Sequence, residues 1–168
     1  MIFNLYDEDD VRLIQNAFAG KTIGFTSGSF DLFHATHGAY LDACRRHCGH
    51  DGILIVGVDS DHLIRIRKGA DRPIVPEIDR LFSVEGRKGV AAAFILGTVE
   101  DFGLVVKLLG VKYIFKNQDY ANSKVKILGS DEPGVEVIIV PDSLRTQSTT
   151  ELIKKVSATG SKRRTKQS

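Results

Sequence analysis

TIGFTSGSFDLFHATHGAYLDACRR, residues 22–46, decides how the rest of the chain is read. Ile23 to Thr26 is an apolar run that predicts a strand, and Ser27-Gly28-Ser29-Phe30-Asp31 supplies a glycine-containing turn. The chain then passes His34 and His37 into a predicted helix, from about His37 to Cys48, carrying Ala39, Tyr40, Leu41 and Ala43. A strand, a tight turn and a helix start form an anion site, because unpaired backbone N–H groups and the positive end of the helix dipole point the same way. His34 and His37 are three apart and share a face in helical geometry. Two imidazoles beside free N–H groups suit a polyphosphate better than a core. A histidine pair alone would read as solvated surface; the strand and turn before it give it functional weight.

Outward from this stretch, strands and helices alternate. Residues 7–19 (DEDDVRLIQNAFA) predict a helix with acidic residues in its first turn, an apolar stripe of Val11, Ile14 and Phe18, and Gly20 as its end. Residues 52–59 (GILIVGVD) are a nearly continuous apolar run, the pattern of a parallel strand covered on both faces. Ser60 and Asp61 cap a short helix that leads into the basic segment Arg65-Ile66-Arg67-Lys68-Gly69. Residues 76–88 predict a helix with Pro76 at its first position and Gly89 after it. Further strands are expected at 93–96, 112–116 and 135–140. Further helices are expected at 102–109, 122–128 and 149–157. This alternation predicts an α/β chain built on a doubly wound sheet of five parallel strands. Residues 1–157 read as one domain, and 158–168 as a small, polar, basic tail expected to be disordered. In such a sheet the ligand lies beyond the carboxyl ends of the strands, at the switch in strand order. That gathers residues 26–37, 59–61, Glu100, 116–120 and 145–150 around one mouth.

Composition sets the outer bounds. A chain of 168 residues, 42% hydrophobic and 26% charged, can bury one sizeable core. A net charge of +2, from 23 basic and 21 acidic side chains, is too balanced for a body that binds nucleic acid or a membrane. The basic tail lacks aromatics for base stacking and reads as a solvated appendage. No apolar run approaches the roughly 20 residues of a membrane span, and the acidic residues 1–10 do not read as a signal peptide. The expected location is the cytoplasm, with Cys44 and Cys48 as free thiols. Only these two share a helical face among Cys44, His47, Cys48 and His50, and no second ligand pair follows at finger-like spacing. They read as apolar fillers rather than a metal site.

With these elements in order, Gly28-Ser29-Phe30-Asp31-Leu32-Phe33-His34-Ala35-Thr36-His37 resembles the GxFDxxHxGH signature of the cytidylyltransferase-like nucleotidyltransferase superfamily. The similarity continues through Val58-Asp59-Ser60-Asp61, Lys68-Gly69, Arg72-Pro73-Ile74, Glu77, Arg80, Lys116 with Asp119-Tyr120, and Ser148-Thr149-Thr150. Order and spacing are most similar to the nucleotidyltransferase domain of ADP-heptose synthases, with glycerol-3-phosphate cytidylyltransferases as cousins, over about Gly20 to Val156. The resemblance implies a Rossmann-like form of the sheet. It also implies attack by a substrate phosphate on the α-phosphorus of a nucleoside triphosphate, with pyrophosphate leaving and no covalent enzyme intermediate.

On that resemblance His34, His37 and Lys68 are expected as catalytic groups, Lys68 as the family's mobile-loop lysine. Thr26, Gly28, Ser29, Phe30, Thr36, Arg80, Lys116, Asp119, Arg145, Ser148 and Thr149 are expected at the nucleotide. Asp31, Asp59, Asp61, Arg72 and Tyr120 are expected at the other substrate, although Asp31 by itself reads as a turn-former. Ser148 with Glu151 three further on also forms a capping box, a second helix start able to present N–H groups to phosphate. Mg²⁺ is expected to arrive with the triphosphate rather than on a protein-only site. The resemblance favours ATP as donor, a sugar phosphate as acceptor and a homodimer. The alternative donor is CTP, acting with glycerol phosphate or another alcohol phosphate.

Two positions depart from the pattern. The signature glycine is Thr36 here, read as a helix N-cap rather than as the mark of a catalytically silent nucleotide-binding module. Asn117-Gln118 stands where the heptose relatives carry Gly-Gly. A class I tRNA synthetase relative is set aside, since the chain is too short for an anticodon domain and has no KMSKS-like run.

Overall fold

The computed structural model describes residues 1–141 and 149–164. Strand β1 (Ile23–Gly28) is the middle of a five-stranded sheet ordered β3-β2-β1-β4-β5, every pair parallel. The others are β2 (Ile53–Asp59), β3 (Val90–Leu96), β4 (Tyr113–Asn117) and β5 (Glu136–Val140). The chain lays β2 and β3 outward on one side of β1, then returns to place β4 on the other. The carboxyl ends of β1 and β4 therefore flank the reversal in strand order, where a cleft must open.

Alternation along the strands sends side chains to two faces. Phe25, Ile55, Phe94 and Ile114 meet α1 (Glu8–Ala17) and α5 (Asp101–Leu109) in one core cluster. Leu54, Val56, Val58 and Phe115 meet α2 (Ala35–His47) and α4 (Glu77–Glu85) in the other. β2 is buried along nearly its whole length, as its unbroken apolar run predicts. Cys44 and Cys48 belong to the second cluster, with the Cys48 thiol donating to the Cys44 carbonyl at 3.3 Å. His47 meets the rings of Tyr113 and Phe115, while His50 is exposed beside Asp51.

Several boundaries differ from the sequence reading. Helix α2 begins at Ala35, with His34 in extended backbone as its N-cap, so the histidine pair opens the helix instead of preceding it. Thr36 is accordingly the second helical residue, not the cap. Ser60 caps α3 (Asp61–Lys68) by accepting from the Leu63 N–H at 3.1 Å, and the basic segment lies inside this helix. Pro76 is the N-cap of α4 rather than its first residue. β3 starts at Val90, and the segment at Ile2 bridges it in parallel at Ala93.

No helix forms at 122–128. There the Ser123 hydroxyl accepts from the Val125 N–H, a local bond that competes with the helical ladder, and Ile127 and Leu128 pack onto the core instead. A short 3₁₀ turn, Gln118–Tyr120, follows β4. The last helix, α6, is Thr149–Arg164, past the expected end at Ser157. No helix of the described residues is long and apolar enough to cross a membrane.

The central strand tolerates no side chain at Gly24. A Cβ there would lie 2.5 Å from both the Cys48 sulfur and the Phe115 ring. Overpacking of that kind costs about 1–3 kcal/mol. Gly24→Ala is expected to lower the unfolding free energy by that amount, read as a fall in the urea midpoint, and an unchanged midpoint would contradict the packing of α2 on β1 and β4.

Candidate active site

The chain leaves β1 through a loop in which two non-glycine residues, Phe30 and Leu32, sit at φ 49° and 48°. L-residues avoid this left-handed region at a cost of about 1–2 kcal/mol each. Two features hold the turn. Phe30 is buried, its ring lying where a Cβ on Gly28 would come within 3.2 Å. Asp31, 1% exposed, accepts from the Ile74 and Val75 N–H groups at 3.1 and 3.0 Å and from Arg72 at 2.6 Å. Burial alone would raise its carboxyl, but the Val75 and Ile74 N–H groups and the Arg72 guanidinium outweigh it and hold the pKa below the usual range. The Asp31 carbonyl in turn accepts from the Thr149 hydroxyl at 2.8 Å, which ties in the start of α6.

The loop delivers His34 and His37 to the start of α2. Their rings stack with centroids 4.0 Å apart, and the His34 N–H donates to His37 Nδ1 at 3.4 Å. An Nδ1 that accepts must carry its proton on Nε2, so His37 has an N–H left to donate. His34 Nδ1 is buried without a protein partner among the described residues. Desolvation lowers both pKa values. His37 falls to about 4, helped by the neighbouring His34 and by Lys68 and opposed by Asp31. Both imidazoles are therefore neutral near pH 7 and act as hydrogen-bonding groups rather than as fixed charges.

These groups open onto one cavity of about 940 Å³ at the carboxyl end of the sheet. Around it, Lys68 at the end of α3 donates to the Ser29 hydroxyl at 2.9 Å, and Arg67 pairs with Asp59 at 3.0 Å. Lys116 lies over the Phe102 ring, 3.9 Å from its centroid, and 5.0 Å from that of Tyr120. Desolvation lowers Lys68, and it takes Lys116 down to about 8, with Asp59 resisting and Arg67 assisting.

Among the expected residues, Gly28, Ser29, Phe30, Asp31, His34, Thr36, His37, Asp59, Lys68, Arg72, Lys116, Asp119, Tyr120 and Thr149 line this cavity together. Thr26, Arg80, Asp61 and Glu100 do not. Thr26 is fully buried below it, its hydroxyl held by Tyr40 at 2.8 Å and by the Phe115 carbonyl at 3.1 Å. Arg80, 1% exposed, spends its guanidinium on the Val75 and Ser29 carbonyls and on Asp61. It braces the loop rather than reaching a nucleotide. Asp61 is held by Arg80 at 2.8 Å and approached by Arg65, away from the cavity. Glu100, expected at the same mouth, is the N-cap of α5 and does not line the cavity. Arg145 and Ser148 lie outside the described residues.

The sequence reading missed Tyr40 and Phe102 and undervalued Arg67, all of which line the cavity, while Asn117 lines it as its place in the 116–120 loop predicts. Tyr40 was findable, since it follows His37 by three residues and so shares its helix face. Phe102 was not, because an aromatic at the start of α5 reads as core. The carboxylates Asp31 and Asp59 are committed to Arg72 and Arg67. No group of three or more potential ligands able to hold a metal occurs among the described residues.

The depressed His37 pKa has a consequence for stability. Its folded value lies below the unfolded value of about 6.5, so between about pH 6.5 and 4 the unfolded chain binds a proton that the folded one lacks. Stability is therefore complete above that window and falls as the pH drops through it. His37→Asn is expected to reduce the slope of unfolding free energy against pH by up to about 1.4 kcal/mol per pH unit. Urea titrations between pH 4.5 and 7 check this; equal slopes in the two proteins would contradict a buried, neutral His37.

Known proteins resemble this arrangement. Residues 25–155 match the cytidylyltransferase-like family model. The bifunctional protein HldE of Nitratiruptor sp. is 32% identical over 152 residues, 89% of this chain and 31% of that protein. Its counterpart from Granulibacter bethesdensis is 35% identical over 142 residues, 82% of this chain and 28% of that protein. The chain thus spans less than a third of the length of these relatives. Among solved structures, the lipopolysaccharide core biosynthesis protein from Thermoplasma volcanium aligns with a TM-score of 0.57 at 24% identity, covering 74% of this chain and 98% of that one. Pantothenate synthetase from Thermus thermophilus aligns at 0.53 and 18% identity, covering 78% and 59%. Likeness at these identities establishes the fold, while the family match extends over the loop, both histidines and the start of α6. The chain belongs to the cytidylyltransferase-like family of nucleotidyltransferases.

Proposed function

We propose that the chain transfers AMP from ATP to the phosphate of a phosphorylated sugar and releases pyrophosphate. The observation that carries this reading is the stacked His34/His37 pair at the start of α2, beside the switch in strand order. An oxygen of the acceptor phosphate forms the new bond to the α-phosphorus, and the bond from that phosphorus to the bridging oxygen breaks. His37, through Nε2–H, donates to a phosphate oxygen as charge builds there, and His34 offers its own ring N–H. Neutral imidazoles suit this task, since they donate hydrogen bonds without competing for the proton.

Gly28 and the start of α2 bring backbone N–H groups to the phosphates. Lys68, now bonded to Ser29, lies on a flexible stem that can turn to the leaving pyrophosphate. The Thr149 hydroxyl already donates to Asp31, so Thr149 would meet phosphate through its N–H or its oxygen lone pairs. Mg²⁺ bound to the triphosphate would screen its charge. Its fit is with the phosphates, since Asp31 and Asp59 at the cavity are engaged by arginines and Asp119 accepts from Asn117.

Likeness to the HldE proteins supports ATP and a sugar phosphate, and the family's description keeps CTP in view as donor. The cytoplasm is the compartment that would supply such a triphosphate. The exposed side chains of Ile66, Ile74, Ile78 and Phe82 on α3, α4 and the loop between them support a homodimer, which light scattering would test.

Pyrophosphate release from Mg-ATP and Mg-CTP over a panel of sugar and alcohol phosphates tests the activity. His37→Ala is expected to lower kcat by about 10²–10³, the scale of losing one transition-state donor. Nucleotide binding without turnover on any acceptor would make the chain a binding module instead.

A further inference from the structure

The cationic side chains lining the cavity are not equivalent. Arg72 is paired with Asp31 at 2.6 Å, Arg67 with Asp59 at 3.0 Å and Lys126 with Asp131 at 3.1 Å, while Lys68 donates to Ser29 at 2.9 Å. Lys116 differs. It is 9% exposed, and its Nζ rests against the Phe102 and Tyr120 rings with no carboxylate or other acceptor bonded to it among the described residues. A buried ammonium is costly unless an anion meets it, and aromatic faces replace only part of its hydration. It is also one of the residues that line the cavity.

The histidines and Lys116 reach this cavity from different layers, while Lys68 feels Asp31 as well as Asp59 and Arg67. The histidines stand on α2 over one face of the sheet, and Lys116 turns to Phe102 at the start of α5, over the other. Leu63, Leu96 and Val99 line the cavity as well. A volume of about 940 Å³ lies at the upper end of ordinary ligand pockets, enough for two substrates side by side.

We propose that Lys116 holds the phosphate of the acceptor, and that the nucleotide does not use it. The inference rests on the nucleotidyl-transfer reading, in which two anionic substrates share one cavity. If the triphosphate occupies the start of α2 and draws Lys68, the second anion meets Lys116, which has no acceptor bonded to it among the described residues, and the attacking oxygen approaches from the α5 side of the sheet. Lys116 is then a specificity-determining residue, which selects acceptors that carry a phosphate over their unphosphorylated parents.

The test uses the full chain saturated with magnesium and α,β-methylene-ATP, or the CTP analogue if that is the one bound, and titrates inorganic phosphate by calorimetry. Lys116→Met keeps a long side chain against Phe102, and Lys116→Arg keeps the charge. Wild type is expected to bind phosphate, Lys116→Met to bind it about 10–100-fold more weakly, the worth of one charge-assisted hydrogen bond, and Lys116→Arg to restore most of the loss. Affinity for the analogue should stay within about twofold in both variants, well under the tenfold that 1.4 kcal/mol represents. Equal phosphate affinity in wild type and Lys116→Met, no phosphate binding by wild type, or loss of analogue affinity in Lys116→Met would each overturn the assignment. Failure of wild type to bind either analogue would instead overturn the reading on which it rests, and the assignment with it.

Discussion

The candidate site depends on one buried carboxylate. Asp31 sits between two residues forced into left-handed backbone, and its side chain collects two N–H groups and a guanidinium from the segment between α3 and α4. Through its carbonyl it also takes the Thr149 hydroxyl from the start of α6. Three parts of the chain far apart in sequence thus converge on one residue after β1. Remove the carboxylate and the strained turn loses its compensation, Arg72 becomes an unpaired, largely buried cation, and the histidines lose their fixed approach to the cavity. Arg80 works to the same end from below, bonding the Ser29 and Val75 carbonyls on either side of the clamp.

Around that frame the cavity is cationic without being saturated with charge. Two of its arginines are neutralised by Asp31 and Asp59, and the two histidines are neutral near pH 7. What faces the ligand is then a helix start, imidazole N–H groups and lysines whose pKa values burial has lowered. Such a site gains interaction when phosphates arrive, because an anion raises those pKa values again and draws the groups toward their charged forms. The arrangement holds a polyanion by directed donors, which fits a reaction in which geometry at one phosphorus matters more than total attraction.

Much of this was legible in the chain itself. The unbroken apolar run of β2, the glycine turn after β1 and the spacing of strands and helices fix a parallel sheet, and strand reversal then fixes where its cleft opens. The histidine pair was legible for the same reason. Three things were not. The cap of α2 moved to His34 because the turn before it is set by Asp31's distant partners, not by local preference. Arg80 and Asp61 read as ligand-binding groups, yet burial turned them toward each other. The segment 122–128 has helical composition, but Gly129, with φ at 81° and a Cβ position 2.8 Å from Val106, has to close against α5. The first two are decided by contacts between residues far apart in sequence, and the third by such a contact together with the local Ser123–Val125 bond.

The central claim is that a triphosphate is received at the start of α2 by His34 and His37. A crystal structure of the protein with magnesium and a non-hydrolysable nucleoside triphosphate tests it most directly. The account predicts phosphate oxygens within hydrogen-bond reach of His37 Nε2 and of the backbone N–H groups that open α2. A triphosphate bound elsewhere, with the two imidazoles touching only protein, would contradict it.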